Sequence, residues 1–379
     1  MKKQVYLMWM LLFFHAGVIA QKYVLEKGID KLQLVGCNIR NKSIIISGTG
    51  DIQRNRAFFP SETTLEEIEQ VFNITIVSYD KGAIRFGIGK QSKLAGTLVD
   101  FAGNDTSSKV VVNRVNEKQV IPVREFELPF ALAIGHQYKI RVAKKIRHLI
   151  VEISSGNYYF KNDTLQYPTP FFGLLWGSPF IACHSGKIEI NGFVLKTSFK
   201  RNPLIAVWGD SFIEGSSLAS EEERYISFLK SSLGYRKIVI LGRGGESSTS
   251  LDKRYPKELE WFKRTKYALI AIGTNDSDFD VWKSNMTKYI SMAEKLHVKP
   301  IIVTITPRYD IAGRVPFMQM VNRWIREEYN GLYVDMNKAV TLDGERWIEG
   351  LLLADKVHPS AAGHLAMFER IKMDAPFLF

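Results

Sequence analysis

Residues 204–212 read Leu204-Ile205-Ala206-Val207-Trp208-Gly209-Asp210-Ser211-Phe212. Five apolar side chains run without a break and stop at glycine, aspartate and serine. A short, continuous apolar run bounded by turn residues suits a strand covered on both faces of a parallel sheet. Gly209 and Asp210 allow a tight turn that presents the Ser211 hydroxyl at a helix N-terminus.

The same pattern repeats downstream. Apolar runs at Lys237–Leu241, Tyr267–Ile272, Pro300–Thr306 and Leu332–Met336 alternate with helix-length segments near 218–233, 250–264, 279–297 and 316–329. A last helix near 360–372 follows. This alternation predicts an α/β domain over 201–379, with a doubly wound, flavodoxin-like parallel sheet of five strands. Ligands of such sheets bind beyond the carboxyl ends of the strands.

Each strand end carries polar chemistry. The second gives Gly242-Arg243-Gly244-Gly245-Glu246-Ser247, where a backbone N–H could approach a ligand closely. The spacing is not that of a phosphate-binding glycine loop. The third gives Gly273-Thr274-Asn275-Asp276, in which the asparagine amide could face a developing negative charge. After the fifth comes Asp355-Lys356-Val357-His358-Pro359, where a carboxylate separated from the histidine by two residues can orient its imidazole. Each taken alone also reads as an ordinary turn or cap.

Together, in the order serine, glycine, asparagine, aspartate and histidine, these blocks resemble the SGNH (GDSL-type) hydrolase superfamily across residues 203–372. The resemblance implies a serine esterase with Ser211 as nucleophile, His358 as base and Asp355 as its orienter. It implies an oxyanion hole from Ser211, Gly245 and Asn275, with Gly242 as the other candidate glycine. The asparagine that usually precedes the glycine of the second block is not evident. No cofactor and no metal are expected, because no His/Cys/Asp group shows ligand spacing. Asp210, Trp208, Arg243 and Arg308 are candidate substrate contacts, and Trp282, Tyr309 and Trp347 are further aromatic candidates for stacking on sugar rings. Arg314 shares the loop of Arg308.

Residues 21–200 read differently. β-Branched and aromatic runs such as 44–46, 72–77, 110–112, 138–142, 148–153 and 187–190 are divided by turns. They predict an antiparallel β-sandwich, jelly-roll or concanavalin-like. The stretch 135–160 reads as a hairpin closed by Ser154-Ser155-Gly156-Asn157. Residues 173–177 and 185–190 loosely resemble the last strands of concanavalin-like (laminin-G-like) sandwiches. A sandwich ahead of the hydrolase resembles the layout of carbohydrate esterases and points to an acetylated polysaccharide or oligosaccharide. A general short-acyl carboxylesterase, a lysophospholipase-type hydrolase and an inactive glycan-binding protein are the competing readings.

Residues 1–20 read as a secretory signal, with Lys2 and Lys3 before the apolar run 5–14 and small residues ending at Ala20. An uncleaved anchor is the other reading. Export would place the chain in the periplasm or outside the cell, and no later segment is apolar enough to span a bilayer. There, Cys37 and Cys183 could form one disulfide or stay as two buried thiols. Across 379 residues, 51 Lys and Arg face 39 Asp and Glu, a net charge of +12. Loss of Lys2 and Lys3 with the leader leaves +10. Export and the lack of a nucleic-acid module disfavour a nucleic-acid partner. The excess points instead to solubility or to an acidic glycan.

Overall fold

The strand Ile205–Gly209 is buried at every position and lies inside a five-stranded parallel sheet. The computed structural model describes residues 23–48, 55–59, 67–78, 83–89, 96–103, 107–116, 119–145, 148–166, 178–197, 202–234 and 237–379. The sheet runs Ile238–Gly242, Ile205–Gly209, Tyr267–Ala271, Lys299–Val303 and Leu332–Val334 from edge to edge. This is the doubly wound order in which the second strand lies outside the first, and it places the switch point beside the first strand.

Side chains alternate between two helical layers, as a pleated strand requires. Ala206 and Trp208 join Leu251, Tyr255, Leu259, Trp282 and Tyr289 on one face. Ile205 and Val207 join Ile226, Leu229, Met367 and Ile371 on the other. Each aliphatic side chain so buried contributes about 1.5–3 kcal/mol. The α-helices of this half are Ser211–Glu214, Tyr225–Leu233, Ser248–Leu251, Tyr255–Trp261, Phe279–Lys295, Arg314–Arg323, Met336–Val340 and Ala361–Asp374. A π-helical turn, Trp324–Glu328, extends Arg314–Arg323. The helix expected near 250–264 is two short ones, because Pro256 starts a new helix after the first has ended.

The register brings the site together. Gly209 lies beside Gly242 on one side and Ala271 on the other. The turns carrying Ser211, Gly245 and Asn275 therefore leave the sheet at one level. Gly209 has to be glycine, since a Cβ there would stand 2.4 Å from Ile213 Cγ1 and 2.7 Å from the Ala271 carbonyl oxygen.

Ahead of this sheet lie two antiparallel ones, as the β-rich composition predicts. The strand Lys187–Thr197 shows the alternation of a sheet with one covered face. Core side chains of the two sheets, among them Phe72, Phe101, Ile181 and Phe193, form one cluster. The expected hairpin over 135–160 is a three-stranded meander instead: Gln137–Lys145 pairs with His148–Ser155, which pairs with Tyr158–Gln166. Its second turn is the two-residue Gly156-Asn157 connection, in which Gly156 supplies the positive φ of 53°. Cys37 and Cys183 lie in different sheets and are free thiols. Residues 1–20 and 173–177, on which the leader and part of the concanavalin-like likeness were read, lie outside the described residues.

Candidate active site

Asp210 caps the helix Ser211–Glu214 by accepting the Phe212 N–H at 3.0 Å, and Gly215 ends it in the left-handed region. Ser211 is thus the first helical residue, 7% exposed. Its Oγ lies 2.9 Å from His358 Nε2. His358 Nδ1 lies 2.7 Å from Asp355 Oδ2. An ionised carboxylate can only accept, so Nδ1 carries the proton and Nε2 is left to accept from the serine hydroxyl.

Asp355 is itself held on several sides. Oδ1 accepts the N–H groups of Val357 at 3.0 Å and His358 at 2.9 Å, and Oδ2 accepts the Ser217 hydroxyl at 3.2 Å. Partial burial works to raise the pKa of this carboxyl. The backbone N–H groups and the His358 ring outweigh it and hold the group at about 2.

The second and third turns carry the candidate N–H donors. Arg243 N–H bonds Gly209 O at 2.9 Å and pins the second turn to the first strand. Gly244 N–H is taken by Glu214 Oε2 at 2.7 Å. Gly242 sits in the sheet with Ile213 packed where its Cβ would be. Gly245 differs from both. Its φ is +72°, nothing lies within 4 Å of its Cβ direction, and its N–H has no partner among the described residues. Asn275 Nδ2 donates to Glu246 O at 3.0 Å, which leaves its second hydrogen for a ligand.

Behind the second turn lies a buried charge cluster that the sequence reading missed. Arg254, Glu246 and Glu258 have side chains with 0% exposure. Arg254 Nε bonds Glu246 Oε1 at 3.0 Å, Nη1 bonds Glu258 Oε2 at 2.5 Å, and Nη2 bonds Glu246 Oε2 and Leu241 O. The signal available in sequence was an Arg and Glu spaced i,i+4 just beyond the glycine turn, a pattern equally common on exposed helix faces.

Two candidate substrate contacts need correction. Trp208 is fully buried and donates Nε1 to Glu258 at 3.0 Å, because its position on the pleat points it under the helices. Asp210 is 2% exposed and spent on the cap. Burial pushes its carboxyl up to about 6, against the pull of the Phe212 N–H and the Thr274 hydroxyl. Trp282 is likewise buried, donating Nε1 to Ile272 O.

Arg243 lies 3.8 Å from Glu246. Arg308 faces Asp310, Thr274 and Asn275, and Arg314 donates to Asp276 O. Tyr309 and Trp347 hydrogen-bond to each other. Tyr309 N–H bonds Lys356 O in the Asp355–His358 turn, its hydroxyl accepts the Trp347 backbone N–H, and the residue is 40% exposed. Among the described residues, no group of three His, Cys, Asp or Glu side chains could hold a metal ion. None of the helices there is long and apolar enough to cross a membrane.

Residues 207–366 match the model of the GDSL-like lipase/acylhydrolase family. This region belongs to that family. The GDSL-like domain is a hydrolase of ester bonds. A Desulfitobacterium hafniense protein described as lipolytic and of the G-D-S-L family shares 20% identity, covering 45% of this chain and 98% of its own, with a TM-score of 0.39. A lipolytic G-D-S-L family member from Veillonella parvula shares 20%, covering 45% and 97%, with a TM-score of 0.38. A catalytic mutant of the acetylxylan esterase Axe2 from Geobacillus stearothermophilus shares 18%, covering 45% and 92%, with a TM-score of 0.36. No curated protein matches the chain.

Proposed function

We propose that this chain is an exported serine esterase that removes short acyl groups, acetyl foremost, from a carbohydrate. The observation that carries the reading is the unbroken hydrogen-bond chain from Ser211 through His358 to Asp355. Ser211 Oγ attacks the ester carbonyl carbon while His358 Nε2 takes its proton. The carbonyl oxygen becomes an oxyanion held by the N–H groups of Ser211 and Gly245 and the Asn275 amide. The ester C–O bond then breaks, and His358 returns the proton to the leaving sugar oxygen. Water, deprotonated by His358, attacks the acyl-serine in the same way and frees the acid and the serine.

The carbohydrate assignment rests on the rim. Tyr309 and Trp347 offer aromatic surface beside the His358 turn, with the phenol anchored by its own hydrogen bonds. Aromatic faces with a polar edge suit sugar rings. The segments 277–281 and 308–314 after the third and fourth strands are short and polar, a poor wall for a long acyl chain. The basic balance of the chain would favour an acidic glycan.

The test is acetate release from acetylated oligosaccharides and from an aryl acetate by the full chain and by Ser211→Ala. The substitution should remove nearly all turnover, leaving only weak residual catalysis. Undiminished hydrolysis would overturn the mechanism. Equal rates on acetyl and lauroyl aryl esters, with no preference for the sugar, would replace the carbohydrate reading by a general or lysophospholipase-type one.

A further inference from the structure

Asn275 is gripped at both ends of its amide. Nδ2 donates to Glu246 O at 3.0 Å, and Oδ1 accepts from Arg308 Nη1 at 3.2 Å. The same Nη1 donates to Thr274 O at 3.0 Å. The opposite edge of the guanidinium forks onto Asp310, Nε to Oδ1 at 2.7 Å and Nη2 to Oδ2 at 2.6 Å. The Arg308 side chain is 13% exposed.

We infer that Arg308 is a positioning residue for the oxyanion hole: it fixes the rotation of the Asn275 amide and strengthens the N–H that Asn275 offers to the substrate oxygen. This rests on the esterase reading above. A flipped amide would set its NH₂ against the guanidinium and its oxygen against the Glu246 carbonyl, and both contacts repel. With the flip forbidden and one Nδ2 hydrogen given to Glu246, the other has a single direction left, in the amide plane. A cation on Oδ1 also draws electron density from the amide nitrogen, and charge-assisted bonds are roughly twice as strong as neutral ones. Asp310 occupies the fork that would otherwise take a substrate carboxylate, so little of Arg308 is left for direct binding.

The test is a double-mutant cycle between Arg308→Met and Asn275→Ala on an uncharged aryl acetate, with thermal unfolding as a check on folding. Loss of the amide donor should cost ~10²–10³ in kcat. Arg308→Met should lower kcat about 10-fold with KM nearly unchanged, a fraction of that donor's worth. Arg308→Lys should recover part of it. In the Asn275→Ala background, Arg308→Met should have no further effect.

An equal loss in both backgrounds, or a raised KM with kcat intact, would overturn the inference. Should Arg308→Met fail to fold, Asp310→Asn takes its place in the cycle under the same two criteria. Full activity in Ser211→Ala would instead strike the esterase reading itself.

Discussion

Arg254 and Glu246 meet where neither side chain is exposed, guanidinium Nε 3.0 Å from carboxylate Oε1. The same arginine serves Glu258 and the Leu241 carbonyl. Glu246 directly follows Gly245 and offers its own carbonyl to Asn275. The ion pair therefore anchors the stretch of chain that carries the Gly245 N–H and the carbonyl that holds the Asn275 amide.

Removing one member of a buried pair leaves the other charge uncompensated, which costs about 3–5 kcal/mol. Arg254→Met should lower the free energy of unfolding, read from a urea titration, by that much and move the midpoint to lower urea, since two buried carboxylates lose their cation. An unchanged midpoint would show that water reaches the cluster.

Asp355→Asn should lower kcat by ~10³–10⁴ while the chain stays folded. The two N–H groups that now bond Oδ1 would hold the asparagine oxygen. Its NH₂ would then face His358 Nδ1 and force the proton to Nε2, where it blocks acceptance from Ser211. Single-turnover kinetics on an aryl acetate measures this, and a loss below tenfold would count against it.

Asp210 sets a pH dependence of stability with a definite sign. Its carboxyl is raised to about 6 by burial, whereas the unfolded chain releases that proton near 3.8. Between those values the folded chain holds a proton that the unfolded one lacks, so stability falls as pH rises. The contribution is fully present below about 3.8 and lost through about 6. Asp210→Asn keeps a good cap and cannot ionise. The drop in Tm from pH 4.5 to 7 should be smaller in Asp210→Asn than in the parent, and equal drops would refute the assignment.

The two thiols should be slow to react. Burial pushes both Cys37 and Cys183 up to about 11, and each donates to a nearby carbonyl, Val35 O and Ser185 O. Thiolate is the reactive form. At pH 7.5 a disulfide-exchange reagent should label neither quickly in the folded chain and both on unfolding. Rapid labelling of Cys183 in the native state would contradict this.

The parallel sheet, and the residues Ser211, His358 and Asp355 that hydrogen-bond in series, were legible because their signals are local. A strand buried on both faces is apolar throughout, and the turn after it carries its chemistry in three or four residues. Direction was not legible. Trp208 ends a strand in the right place, yet the pleat sends it under the helices to Glu258. Arg308 sits in the right loop, yet Asp310, two residues on, turns it toward Asn275. Arg254 reads as a helix-surface charge until Glu246 is brought against it by the fold. The comparison of Gly245 with Gly242 needed geometry too, since only the structure sets Ile213 where a Gly242 Cβ would be and leaves the Gly245 position open.

Phe59, from the antiparallel sheets, stacks on Trp261 at 5.9 Å, and Lys257 caps both rings. Trp261 closes the helix Tyr255–Trp261, and one turn before it stands Glu258, partner of Arg254. Cutting the chain near residue 200 would thus uncover an indole and slacken the far end of the tether on the Gly245 turn. The β-rich half is in this sense an outer wall of the hydrolase, not a passenger joined to it by a linker, and its loss would register in turnover before any glycan was offered.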